Sequence, residues 1–148
     1  MDHKISDQEK ALLVGVISQT NNENVVREHI QELSLLAKTA GAEIVGVITQ
    51  KVAKMNPATL IGAGKAKQII YQAEEIGAKI IIFDNELSPA QIKNYHKMSK
   101  NIKILDRNGL ILDIFKKHAR TKEAITQVDL AYMEYLLPRL TRQWTHLE

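Results

Sequence analysis

The chain has 148 residues, 45% of them hydrophobic, no cysteine, and 20 lysine and arginine against 17 aspartate and glutamate side chains, for a formal net charge of +3. That length suits one domain with a sizeable core, and the absence of cysteine excludes disulfides, thiol nucleophiles and thiolate metal sites while suiting a reducing compartment. No apolar run reaches the roughly 18 residues of a membrane span, and the polar first ten residues lead into no signal-peptide core, so a cytoplasmic protein with no membrane partner is expected.

Residues 11–17 are a short apolar run without a helical stripe, as a strand buried on both faces should be. After polar turn residues 18–24, Val25, Ile30, Leu33, Leu36 and Ala37 recur near the helical period, and Ala40-Gly41 ends that helix. Residues 43–50 are rich in valine and isoleucine and predict a second strand. Residues 55–62 are irregular; a helix then runs from Gly64 to about Ile76 and stops at Gly77. Residues 79–84 give the clearest strand, followed by Ser88 as N-cap and Pro89 at the first helical position of a helix reaching Met98. A fourth strand at 102–105 ends at Asp106-Arg107-Asn108-Gly109.

Strands this apolar, alternating with short helices, predict an α/β fold with a mostly parallel four-stranded sheet flanked by helices through right-handed crossovers. The pattern then changes. Leu110, Ile111, Ile114 and Phe115 form the stripe of a short helix, residues 119–123 a basic turn, and residues 124–146 one long helix. Its apolar side is Val128, Ala131, Tyr132, Tyr135, Leu136 and Leu140, and Pro138 should kink or break it. The expected organisation is a sheet domain over residues 1–106, nucleotide-binding-like or ribosome-docking, and a helical subdomain over 107–148.

No segment assembles a convincing catalytic site. Gly62-Ala63-Gly64-Lys65 invites comparison with a phosphate loop, since glycines admit a close backbone approach and Lys65 adds a point charge. Ala66, however, stands where a Walker motif needs Ser or Thr, so these glycines either make a tight turn or lead a helix start to a phosphate. Asp84, Glu86 and Asp106 lie at the carboxyl ends of strands, where open α/β sheets bind ligands, but turn solvation and capping account for them equally well. The five histidines include no HxH or HExxH set, so neither a catalytic residue nor a metal site is expected.

Charge is uneven: residues 1–85 hold 9 basic and 10 acidic groups, and residues 86–148 hold 11 and 7. The richest basic run comprises Arg107, Lys116, Lys117, Arg120, Lys122, Arg139 and Arg142, whose cations suit phosphate oxygens. Trp144 or Tyr132 would suit stacking on an unpaired base, although an aromatic at helical spacing equally suits a core. Arg107 has Asp106 and Asp113 as nearby acidic partners.

Four segments carry a family resemblance: Pro57-Ala58-Thr59-Leu60-Ile61-Gly62-Ala63-Gly64-Lys65, Phe83-Asp84-Asn85-Glu86-Leu87-Ser88-Pro89-Ala90-Gln91, Asp106 through Phe115, and a last one made of Ala119 through Glu123, Gln127 through Leu130 and Tyr135 through Arg142. In this order they resemble the N-terminal domain of the HflX family of ribosome-associated GTPases, over roughly residues 12–147. The resemblance implies a domain that precedes a pair of long helices and then a P-loop GTPase. It implies a full-length protein that binds the large ribosomal subunit and helps split or rescue stalled ribosomes. GTP and magnesium belong to the GTPase domain, and some members are described as binding ATP through the N-terminal region. The helix over 124–146 then looks like the first arm of a truncated antiparallel hairpin, awaiting its second arm or a second copy of the chain.

With the sequence ending at Glu148 and no GTP motif within it, the expectation is a noncatalytic accessory domain. It would need no cofactor of its own, dock on ribosomal RNA, regulate the adjacent GTPase domain, and reside in the cytoplasm, partly on ribosomes. The resemblance makes Arg107, Arg120, Lys122, Arg139 and Arg142 the leading RNA contacts, with Lys65 and Lys67 on the sheet domain behind them. Ala124-Ile125-Thr126 departs from the family, which often has Gly-Lys there, and removes one basic contact.

Overall fold

A computed structural model describes residues 4–144, with side chains through residue 139. Its elements run β1 (Lys10–Ile17), α1 (Glu23–Thr39), β2 (Glu43–Lys51), α2 (Ala63–Glu75), β3 (Ile80–Phe83), α3 (Pro89–Met98), β4 (Lys103–Asp106), α4 (Arg107–His118) and α5 (Lys122–Trp144). The four strands form one sheet in the order β2-β1-β3-β4, parallel throughout. The fold is the α/β class expected, with a parallel sheet between helices and a helical extension.

Side-chain alternation along the strands divides the core into two layers. Leu12, Val14 and Val16 of β1 face one side with Ile81, Phe83 and Ile104, against Ala66, Ile69 and Ile70 of α2 and Ile92 and Tyr95 of α3. Ala11 and Leu13 face the other with Ile80, Ile82 and Leu105, against Val26, Ile30, Leu33 and Ala37 of α1 and Leu110 of α4. Gly15 brings α1 close: a Cβ there would lie 2.9 Å from Ile30 Cδ1 and 3.0 Å from Val26 Cγ1.

Some local expectations need correction. β2 is an edge strand with one face half open, Val47 being 50% exposed, so not every strand is buried on both sides. The buried side of α1 starts at Val26, not at Val25, because positions 26, 30, 33 and 37 share one face. Of the two readings open for Asp106, helix capping is the one the structure shows: it caps α4, and the next three residues form the first turn of that helix. Phe115 leaves the predicted stripe and points to solvent, while Asp113 is buried. Pro138 sits inside α5 without ending it. It removes the donor for the Glu134 carbonyl, and one residue on, Arg139 Nη1 donates to the Tyr135 carbonyl at 2.6 Å.

α3 holds the irregular β2–α2 connection in place. Ser88 and Gln91 form a reciprocal capping box at its start, with Pro89 at the first helical position. Gln91 Nε2 then donates to the Asn56 carbonyl at 3.0 Å, Asn94 Nδ2 to the Ala58 carbonyl at 2.8 Å, and the Tyr95 hydroxyl to the Thr59 carbonyl at 2.6 Å. These bonds support a connection in which Leu60 has φ of 72° and Gly62 φ of 93°. Tyr95→Phe leaves the buried Thr59 carbonyl without this donor and should cost about 1–2 kcal/mol in urea unfolding, with unchanged secondary structure.

Candidate functional site

The C-terminal edge of the sheet gathers the polar groups. Asp106 ends β4 and is fully buried. Its Oδ1 accepts from the Gly109 amide at 2.9 Å and the Tyr135 hydroxyl at 2.8 Å, and its Oδ2 from the Leu87 amide at 3.0 Å. Arg139, with its side chain 8% exposed, lies over the Tyr135 ring at 3.7 Å and brings Nη2 to 3.7 Å from Asp106 Oδ2. The same Nη2 donates to the Leu87 carbonyl at 3.0 Å. One carboxylate thus ties together β4, the β3–α3 loop, the start of α4 and the middle of α5. Gly109 makes room for this, since a Cβ there would meet Tyr135 Oη at 2.7 Å and Leu105 Cδ1 at 2.6 Å. Burial first, and the Asp106 charge second, push the Tyr135 hydroxyl above the ordinary tyrosine value.

A second cluster lies where the chain leaves β1 and β3 for opposite faces of the sheet. Arg107 Nε donates to Asp84 Oδ1 at 2.8 Å, and its Nη2 donates both to that oxygen and to the His29 carbonyl, the latter at 2.8 Å. Arg107 Nη1 is 3.7 Å from Glu32 Oε2, and His29 Nδ1 is 3.5 Å from Asp84 Oδ2. These groups, with Val16, Asn21, Val26 and Asn85, line a cleft of about 400 Å³ at the switch point of the sheet. Sequence spacing offered Asp106 or Asp113 to Arg107; the structure gives it Asp84 instead. In sequence His29 reads as a surface residue of a helix and Glu32 is not singled out, because both occupy the polar face of α1, where nothing distinguishes them from solvated residues.

Among the described residues the predicted basic side chains do not form one surface. Arg107 and Arg139 are engaged with Asp84 and Asp106. Lys117 Nζ sits 2.8 Å from the buried Asp113 carboxylate and donates to the carbonyls of Ile5 at 2.7 Å and Ala40 at 2.6 Å. Lys116 lies with Nζ 4.3 Å above the Tyr132 ring, which is itself buried against the fold. Arg120 and Lys122 are exposed at the α4–α5 turn, on either side of Thr121, whose hydroxyl accepts from the Ala124 amide at 3.0 Å. The side chains of Arg142 and Trp144 lie outside the described residues.

Gly62, Gly64 and Lys65 stand apart from both clusters. Gly62 precedes α2 with no side chain capping that helix, and nothing lies within 4 Å of a Cβ at Gly62 or Gly64. Lys65 folds back to donate to the Lys51 carbonyl at 3.0 Å. Among the described residues no group of three histidine, aspartate or glutamate side chains is arranged to hold a metal ion.

Comparison with known proteins adds two family matches, to the GTP-binding GTPase N-terminal region over residues 27–116 and to the GTP-binding GTPase middle region over residues 118–148. The GTPase HflX of Flavobacterium psychrophilum is 47% identical over 140 residues, covering 95% of this chain and 34% of that protein. The GTPase HflX of Escherichia coli is 40% identical over 95% of this chain and 32% of its own length. The chain therefore spans about a third of these relatives. Among solved structures, a GTP-binding protein from the archaeon Sulfolobus solfataricus in complex with GDP superposes with a TM-score of 0.69 at 26% identity, over 93% of this chain and 40% of that one.

The Asp106 cluster sets two expectations. Asp106→Asn turns an amide toward the Leu87 N–H and weakens the Arg139 contact, and should cost about 3 kcal/mol in urea unfolding, with α5 the first element to lose hydrogen-exchange protection. Because the Tyr135 value is raised, its contribution is fully present below about pH 10 and is lost as pH climbs beyond. Wild-type stability should then fall more steeply at alkaline pH than that of Tyr135→Phe, as read from unfolding at stepped pH.

Proposed function

Because the chain belongs to the HflX family of GTPases, of which it carries the N-terminal and middle regions rather than the catalytic G-domain, we propose that it is a noncatalytic accessory domain that docks its parent GTPase on RNA of the large ribosomal subunit. Nucleotide hydrolysis, GTP and magnesium belong, in this reading, to the GTPase domain. The domain contributes position and regulation to an enzyme that splits or rescues ribosomes in the cytoplasm. Among the described residues no helix is long and apolar enough to cross a membrane.

The observation that supports docking through this chain is the division of its cations. Arg107, Lys117 and Arg139 are held by Asp84, by Asp113 with backbone carbonyls, and by Asp106 with Leu87, so they serve the fold. Lys116, Arg120 and Lys122 lie at or beside the α4–α5 turn, the latter two exposed, and offer a compact positive edge to phosphate.

α5 adds a second surface. Leu130, Met133 and Leu137 are 61%, 48% and 53% exposed at helical spacing, on the side away from Tyr132 and Tyr135. This stripe suits the returning arm of a helical hairpin, and in its absence favours association of two copies.

A nucleotide-binding alternative rests on α2, whose start is open and without a side-chain cap beside Lys65. Calorimetry with ATP and with GTP separates the two readings. Saturable ATP binding abolished by Lys65→Ala favours the alternative, and no heat with either nucleotide removes it.

Docking predicts a salt-sensitive association of the chain with purified large subunits. Replacing Lys116, Arg120 and Lys122 together by alanine should weaken pelleting with subunits and reduce the slope of log affinity against log salt by about 2. Wild-type chain that fails to pellet with large subunits even at low salt removes the docking reading for this domain.

A further inference from the structure

α4 is apolar nearly all the way round, with Leu110, Ile111, Leu112, Ile114 and Phe115 in six residues. Gly109, Leu110 and Asp113 are buried, and Ile111, Leu112 and Ile114 are half-buried. At 3.6 residues per turn Phe115 falls opposite the three buried positions, and the residue is 55% exposed in the last turn of the helix. A lone exposed apolar side chain needs no explanation. Phe115 differs in the charge of its neighbours, since residues 116–122 contain no carboxylate and, besides Lys117, which Asp113 holds, the cations Lys116, Arg120 and Lys122.

We propose that Phe115 is an RNA-contact residue that stacks on an unpaired base, while the cations of the adjoining turn hold the phosphates on either side of it. This rests on the RNA-docking reading of the domain and names the kind of RNA recognised: a single-stranded or looped segment with a base free to stack. Stacking on an aromatic face accepts any base, so the contact adds affinity with little sequence preference. It also divides labour in a measurable way, since the cations set the salt dependence whereas the ring is neutral and leaves it unchanged. A duplex of A-form RNA keeps its bases stacked on one another and offers Phe115 nothing. Charge favours this polyanionic partner over an apolar protein surface, because the run of cations after Phe115 would be desolvated against a neutral patch without return.

The test is fluorescence anisotropy of the 148-residue chain with a labelled 12-nucleotide oligoadenylate and with an RNA duplex of the same length, over a series of salt concentrations. Phe115→Ala and Phe115→Leu should both weaken oligoadenylate binding roughly tenfold. Both should keep the wild-type salt slope and bind duplex as wild type does, and Phe115→Trp should retain full affinity. Melting temperatures of the three variants should stay near wild type, because the ring is not part of the core. If Phe115→Leu binds as tightly as wild type, an aromatic face is not required and the stacking role is wrong. If Phe115→Ala is unaffected while the Lys116, Arg120 and Lys122 alanine variant is weakened, docking stands and the role of Phe115 falls. If the wild-type chain binds neither RNA at low salt, both fall.

Discussion

The structure depends on a buried carboxylate. A fully enclosed Asp106 would be prohibitive without partners, since removing an ionised group from water costs several kcal/mol that hydrogen bonds and opposite charge must offset. The offset comes from parts of the chain distant in sequence: the Leu87 and Gly109 amides, the Tyr135 hydroxyl and the Arg139 guanidinium. The last two would be lost if α5 were detached. The long helix is therefore held in register against the sheet edge by polar complementarity as well as by the Tyr132 contact. The absence of any loop between β4 and α4 comes from the same residue, which ends one element and caps the next.

This requirement explains why some basic residues are poor guides to function. In the sequence Arg107, Lys117 and Arg139 look like members of one phosphate-binding run. In three dimensions each neutralises a carboxylate that is at least nine-tenths buried: Asp84, Asp113 or Asp106. At the turn between α4 and α5 the backbone leaves one helix and starts the other, and Arg120 and Lys122 stay open to solvent, which is why the proposed docking uses this turn. In the proposed reading, position in the fold, more than the number of cations, selects the docking edge.

Much of the fold was legible in sequence because it rests on local signals. Unbroken apolar runs marked strands buried in a parallel sheet, and Ser88-Pro89 marked a helix start through its capping chemistry. Asp106 at the end of a strand reads equally well as a solvated turn residue or a helix cap, because the two have the same local signature; its burial comes from Tyr135 and Leu87, far away in sequence. Phe115 reads as part of the stripe because residues 110–115 are apolar at every position but Asp113, and a helical period cannot say which side faces in. The cleft formed by His29, Glu32, Asp84 and Arg107 was invisible for a related reason: its members come from α1, the end of β3 and the start of α4, and spacing along the chain does not bring them together.

In this reading the α4–α5 turn meets RNA, and the cations embedded in the fold do not. A structure of the full-length protein bound to the large ribosomal subunit tests that division most directly. Lys116, Arg120 and Lys122 should lie within contact distance of ribosomal RNA phosphates, with the Asp84–Arg107 and Asp106–Arg139 pairs still closed inside the domain. A map in which this turn stands clear of RNA, or in which Arg107 or Arg139 has left its carboxylate to bind phosphate, would contradict it.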